Sequence, residues 1–350
     1  MVTVERCVEH VGHDAQAAAR WDTYVMESPS ATGYHLMAWR RVIERVFGHE
    51  TVYLMAQSQS GEVRGILPLV AFSSPLFGRF LVSMPFLNYG GVDTLDDEAR
   101  YVLLEAAARE GARRGVAHVE LRQSVALPID WKRKDHKVSM RLELPKDFQT
   151  LMSAFPSKLR SQIRRPQKEG MTARVGSLEL LDDFYHVFSR NMRDLGTPVY
   201  PKRFFREILE TFPKDAALCS VVRNGQPVAA GFVYAFRDMM EIPWASSDRR
   251  FDRLSPNMLL YATVLEYACQ QGCRIFDFGR STEDSGTYRF KAQWGAKPVP
   301  LHWYYWLKED GPLPELNPSN PRYRMAIGLW QKLPLRVANL IGPHIVKHLP

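Results

Sequence analysis

Residues 256–279 read PNMLLYATVLEYACQQGCRIFDFG, and the fold is decided by this stretch. Leu260, Val264, Tyr267 and Ala268 recur at helical spacing up to about residue 271, Gly272 is a helix-stop signal, and residues 273–279 predict a strand. The same pattern stands earlier in the chain. Residues 97–114 predict an amphipathic helix with Leu104, Ala108 and Gly111 on one side, Gly115 ends it, and VAHVELR at 116–122 predicts the strand. Aligning the two glycines brings Glu120 onto Asp277 and Ser124 onto Ser281. Upstream of each copy lies a hairpin pattern, residues 51–56 and 65–70 turning through Gly61, and residues 217–223 and 228–236 turning at Asn224-Gly225. The repeated order of hairpin, helix, glycine, strand and acid predicts a duplicated unit. Mixed sheets covered by helices follow, an α/β or α+β architecture rather than a doubly wound parallel sheet.

The chain has 350 residues, 45% hydrophobic, 24% charged and 11% aromatic, which suits two globular domains and excludes disorder. The expected division is residues 1–146, residues 147–308, and a final segment, 309–350. Four cysteines (Cys7, Cys219, Cys269, Cys273) cannot form a disulfide framework in so long a chain, so a reduced cytoplasmic setting is expected. Acidic residues interrupt the first thirty positions and no later window is long and apolar enough to span a bilayer, so neither a signal peptide nor a membrane helix is expected. The net charge of +8 favours an anionic partner. The final segment opens with the proline-rich EDGPLPELNPSNP at 309–321 and holds no Asp or Glu from Leu316 to Pro350. In it, Met325, Leu329, Trp330, Leu333, Val337, Leu340 and Ile341 recur at near-helical spacing among Arg322, Arg324, Lys332, Arg336 and Lys347. Such a tail either lies on an anionic membrane surface or packs back on the domains.

Residues 275–295, IFDFGRSTEDSGTYRFKAQWG, carry the densest chemistry. Glycines after a strand let a backbone approach a ligand, and cations beside aromatic walls act strongly on an oxyanion or phosphate. Arg280, Tyr288 and Arg289 are candidate substrate contacts, and Asp277 is a candidate proton acceptor unless it pairs with Arg280 or Arg289. A second cluster, FPSKLRSQIRRPQKEGMT at 155–172, places Arg160, Arg164 and Lys168 on one helical face, with Lys158 and Arg165 beside them. That face could hold a pyrophosphate or an RNA backbone if the helix persists through Pro166. MPFLNYGG at 84–91 offers Asn88 and Tyr89 as the lining of a substrate groove, or as a turn over the core. No G-x-G-x-x-G, P-loop, H-E-x-x-H or G-x-S-x-G motif occurs, so dinucleotide binding, P-loop phosphate binding, zinc and Ser-His-Asp hydrolysis have no support, and no metal is expected.

Taken together, KLRSQIRRPQKEG, the helix-Gly-strand that leads to FDFGRS, and GTYRFKAQWG resemble the FemAB-type branch of the GNAT-like acyltransferases. The resemblance covers most of residues 30–307 and is closest to the FemAB-related proteins of exosortase (PEP-CTERM) and exopolysaccharide systems. It implies two tandem GNAT-like domains and a cleft for an activated acyl donor and an amine acceptor. The best-known members transfer an amino acid from aminoacyl-tRNA to a peptidoglycan precursor peptide. Phe290-Lys291 match the Phe-Lys pair of that family's reaction centre, which implies that Lys291 stabilises the tetrahedral intermediate or leaving oxygen while Phe290 shapes the pocket. Two features depart from the wider pattern. Where acetyl-CoA enzymes of the fold carry a glycine-rich phosphate loop, this chain reads RRFDRLSPN, leaving Arg249, Arg250 and Arg253 as donor-phosphate candidates. The coiled-coil arm of some tRNA-using members is replaced by two short helices between 177 and 212.

The expected activity is acyl or aminoacyl transfer that makes an amide on a cell-envelope or exopolysaccharide precursor. Its acceptor would be an anionic small molecule, a nucleotide-linked sugar or peptide, and tRNA is a possible partner. The donor stays open between aminoacyl-tRNA and acyl-CoA. The alternatives are a CoA-dependent N-acetyltransferase acting on a sugar nucleotide and a non-catalytic anion- or glycan-binding module. A cytoplasmic location is expected, with peripheral contact at the inner membrane if the tail binds lipid.

Overall fold

In chain order the elements are β1 (Cys7–His10), α1 (Ala15–Glu27), α2 (Met37–Phe47), β2 (Thr51–Gln57), β3 (Val63–Ser74), β4 (Gly78–Val82), α3 (Asp97–Arg114), β5 (His118–Gln123) and β6 (Lys132–Glu143). There follow α4 (Phe148–Ala154), α5 (Ser157–Lys168), β7 (Met171–Gly176), α6 (Leu181–Leu195), α7 (Lys202–Thr211), β8 (Ala216–Arg223), β9 (Gln226–Phe236) and β10 (Met239–Ser247). The chain continues with α8 (Pro256–Gln270), β11 (Ile275–Thr282), α9 (Gly286–Ala292), β12 (Lys297–Leu307), α10 (Pro321–Gln331) and α11 (Leu335–Val346). This is a computed structural model that describes residues 7–74, 78–309, 311–314 and 321–349, with backbone only at 7 and 321–323. Much of the expected linker at 309–321 lies outside the described residues.

The chain forms two compact units, one of residues 1–137, 300–314 and 348–350, the other of residues 138–299 and 315–347. The first break precedes the boundary expected at 146, and the physical reason is the second half of β6. There Val138 and Met140 are buried in the second unit's core, and Leu144 donates its amide to the Arg274 carbonyl at 2.8 Å.

In the first unit the strands run β1-β2-β3-β4-β5-β12, and in the second they run β7-β8-β9-β10-β11-β6. Pairing follows the same sequence in both: three antiparallel steps and then one parallel step, β4 to β5 and β10 to β11. A helix supplies each parallel crossover. Asp96 caps α3 by accepting from the Glu98 and Ala99 amides, and Gly115 ends it at φ 62°. Proline at the first helical position opens α8, and Gly272 follows its end at φ 76°. Ten buried residues on α8 place it inside the second core, against Val221, Val228 and Phe276. The Asn224-Gly225 turn has both residues at positive φ, 50° and 76°, which matches the right-handed twist of β8 and β9.

The sixth position departs from simple repetition. Beside β5 lies β12, the last strand of the chain, paired antiparallel from His302 opposite Gln123 to Leu307 opposite His118. Beside β11 lies β6, the last strand of the first half of the sequence. Each unit's sheet is thus completed by a strand from outside its main run of sequence.

Candidate active site

The candidate site lies in the second unit, and it begins where two parallel strands part. Pairing of β10 with β11 covers Met239–Glu241 against Ile275–Asp277 and then ceases, because β10 shifts register between Glu241 and Trp244 to stay with β9. Beyond that point β11 bends at Gly279, φ 75°. The bend has a local cause: Asp277 Oδ1 accepts the Gly279 amide at 2.8 Å. Successive carbonyls of a regular strand point opposite ways. The left-handed glycine turns the Gly279 and Arg280 carbonyls toward one point, and both accept from Lys291 Nζ, at 2.9 and 3.0 Å.

Lys291 sits on α9, whose first turn is capped by Ser285 Oγ accepting the Tyr288 amide. It is 7% exposed, and burial pulls its pKa down to about 8, against the opposing pull of Asp277 and Glu241. The group is therefore mostly charged at neutral pH, yet within reach of giving up its proton. Asp277 is fully buried and accepts from the Ser139 hydroxyl and the Gly279 amide on one oxygen and from Arg141 Nε, 3.1 Å, on the other. An ionic partner of Asp277 is Arg141 on β6. With both oxygens engaged, Asp277 holds the bend and the charge balance around Lys291. On the same strand Ser281 Oγ is buried with no hydrogen-bond partner among the described residues.

A pocket of 420 Å³ opens at the start of α8. Phe290 of α9 and Gln293 just past its end line it with Gln162 of α5, Asn191 of α6, and Ser247, Arg249, Asp252 and Asn257 around the α8 N-terminus. Phe290 packs edge-on against Tyr261, ring centroids 5.1 Å apart. The volume falls in the range of small-ligand sites, and a helix N-terminus beside a guanidinium attracts phosphate.

The basic candidates separate on inspection. Arg249, Arg250 and Arg253 lie on a short 3-10 turn, Arg249–Leu254. Arg250 is engaged by Asp248 at 2.6 Å, Arg253 does not line the pocket, and Arg249 does. The α5 helix continues through Pro166, which is buried together with Leu159 and Ile163 on the inner face. Arg160 donates to the Phe155 and Ser153 carbonyls and so closes the end of α4. Lys158 and Arg165 lie a turn either side of Gln162 on the pocket-side flank, whereas Arg164 shares the opposite flank with Arg160. Arg289 donates to the Asp284 carbonyl at 2.6 Å, and Tyr288 packs on the core.

Asn88 and Tyr89 belong to the first unit. Tyr89 is 1% exposed, with its ring 5.3 Å from that of Tyr34, and Cβ atoms at Gly90 and Gly91 would overlap Met84 and Gln123. Close packing therefore explains the paired glycines. Sequence reading missed the polar pocket lining, Gln162, Asn191, Ser247, Asn257 and Gln293. Their common signal was weak: uncharged polar side chains at element ends or on amphipathic helices. Cys219, Cys269 and Cys273 are free thiols, all raised in pKa by burial, Cys219 to about 12, which suits packing and not nucleophilic attack.

Residues 154–292, which include α9 and the pocket, match the family model described as an acetyltransferase (GNAT) domain. The UDP-N-acetylmuramoylpentapeptide-lysine N(6)-alanyltransferase of Weissella viridescens is 23% identical over 305 residues, covering 80% of this chain and 89% of that protein. Among solved structures, FemX superposes with a TM-score of 0.65 at 15% identity, covering 85% of this chain and 96% of its own. A tandem GNAT protein from the clavulanic acid biosynthesis pathway gives 0.58 at 13%, covering 89% and 100%. Residues 154–292 thus match a GNAT-type acetyltransferase domain, and the chain as a whole is similar to FemAB-related acyltransferases built on that fold.

Proposed function

We propose that this enzyme transfers an aminoacyl group from an activated ester to a primary amine of a nucleotide-linked cell-envelope precursor in the cytoplasm. The observation that carries the reading is a buried cation, Lys291, held at the parted end of β11 next to Phe290, which walls a ligand-sized pocket. The likeness to the peptidoglycan-precursor alanyltransferase supports the choice of an aminoacyl group and of the acceptor.

In this reading the acceptor amine attacks the ester carbonyl, the C–N bond forms, the C–O bond breaks, and the amine's proton ends on the leaving hydroxyl. Two of the Lys291 protons are held by the Gly279 and Arg280 carbonyls, so the third is free to meet the developing negative charge. With a pKa near 8 the same group can donate to the leaving oxygen. Phe290 positions the acyl group, Arg249 and the α8 N-terminus take the donor's phosphate, and Lys158 and Arg165 flank its approach. Asp277 and Arg141 act by positioning.

An acyl-CoA donor is the second reading, favoured by one observation: Arg249 and a 15-residue helix N-terminus bound the same pocket. Incubation with charged tRNA or with acetyl-CoA, each against UDP-linked peptide and sugar acceptors, separates the readings. Amide product with charged tRNA alone is expected. Product with acetyl-CoA alone transfers the assignment to the second reading, and product with neither donor refutes both.

A further inference from the structure

The acid-free tail packs on the second unit by one side only. Ala338, Gly342 and Val346, each four residues apart, are the buried positions of α11, and a Cβ on Gly342 would stand 3.0 Å from the Val199 nitrogen. Arg193 donates to the Leu333 carbonyl at 3.0 Å and Gln331 to the Asp194 carbonyl at 3.1 Å, which anchors the pair of helices to α6. Their outer side is unlike the rest of the surface. Of the twelve exposed large hydrophobic side chains among the described residues, six lie here: Met325, Leu329, Val337, Leu340, Ile341 and Ile345, with Leu340 70% exposed. Arg324, Lys332 and Arg336 are exposed beside them. The sequence offers no carboxylate from Leu316 onward to offset that charge.

An apolar strip set among the tail's own cations matches one kind of surface closely. Hydrocarbon receives the leucine and isoleucine side chains, and anionic headgroups receive the arginines and lysine. Apolar contact or basic charge alone gives weak, reversible attachment, and the two together hold a protein on a bilayer. No helix among the described residues is long and apolar enough to cross a membrane, so the contact is peripheral. We infer that the outer face of α10 and α11 docks the enzyme on an anionic lipid bilayer. The inference goes beyond the proposed reaction and holds whichever donor the enzyme uses.

Co-sedimentation of the full chain with phosphatidylcholine vesicles, with and without phosphatidylglycerol, tests it. Binding is expected on the anionic vesicles only, falling with salt. Leu340→Asp should weaken it at least about tenfold, and Arg324→Gln and Arg336→Gln about fivefold each. All three residues are exposed, so the unfolding midpoint should not move. Equal binding to neutral vesicles, or anionic binding that survives all three substitutions, overturns the proposal. So does a concentration-dependent dimer that Leu340→Asp dissolves, since that assigns the face to a second copy.

Discussion

The two units share one topology and differ at the end of one strand. In the first, Glu120 of β5 pairs with Arg122 two residues on, Nε to Oε1 2.8 Å, both nearly fully buried, and the guanidinium lies 4.8 Å from the centre of the Trp303 ring. In the second, the aligned positions are Asp277 and Gly279. A left-handed glycine stands where the first unit has its arginine, and Lys291 enters from a helix to meet the Gly279 and Arg280 carbonyls. One unit has filled the strand end with a closed ion pair, and the other has kept it open around an amine that can change its charge. What distinguishes a site from a scaffold here is whether the cation is committed. Arg122 has a carboxylate, a carbonyl and a ring as partners, whereas Lys291 has two carbonyls and a proton to spare.

Substitutions that break this contrast rank by size. Arg122→Met leaves Glu120 buried without its cation and should cost about 3 to 5 kcal/mol in stability, read from the denaturant midpoint, with turnover per folded molecule unchanged. Lys291→Met should act oppositely on stability. At neutral pH the folded protein carries a buried ammonium at a cost. Between about 8 and the ordinary lysine value of 10.5, the unfolded chain still holds a proton that the folded chain has released, so wild-type stability rises with pH across that window. The difference between wild type and Lys291→Met should therefore change by roughly 3 kcal/mol from pH 7 to 11, and a flat difference would remove Lys291 from a buried setting. Smallest is the arginine pair beside the pocket. Arg249→Ala should weaken donor binding about tenfold by calorimetric titration, while Arg250→Ala, whose charge Asp248 already holds, should leave it within about twofold.

Much of the fold was legible because the signals were local. Gly115 and Gly272 end helices by backbone conformation alone, and Asn224-Gly225 fixes a hairpin by the same means. The placing of β6 and β12 was not legible, since hydrophobic alternation records that a strand has a buried face and not which sheet edge receives it. The site divides in the same way. The identity of Lys291 came from resemblance, and its surroundings are long-range: Ser139 and Arg141 reach Asp277 across more than a hundred residues of sequence. Equally, Arg249, Arg250 and Arg253 look alike in a row of letters, and only Asp248 and the pocket's lining sort them.

Transfer activity of Lys291→Met set beside that of Arg122→Met tests the central claim most directly, with both variants first shown to be folded by circular dichroism. The account predicts that Lys291→Met loses about 10² to 10³ in kcat while folded Arg122→Met turns over at the wild-type rate. Near wild-type turnover by Lys291→Met, with loss in Arg122→Met, would place the reaction centre in the first unit and contradict the account.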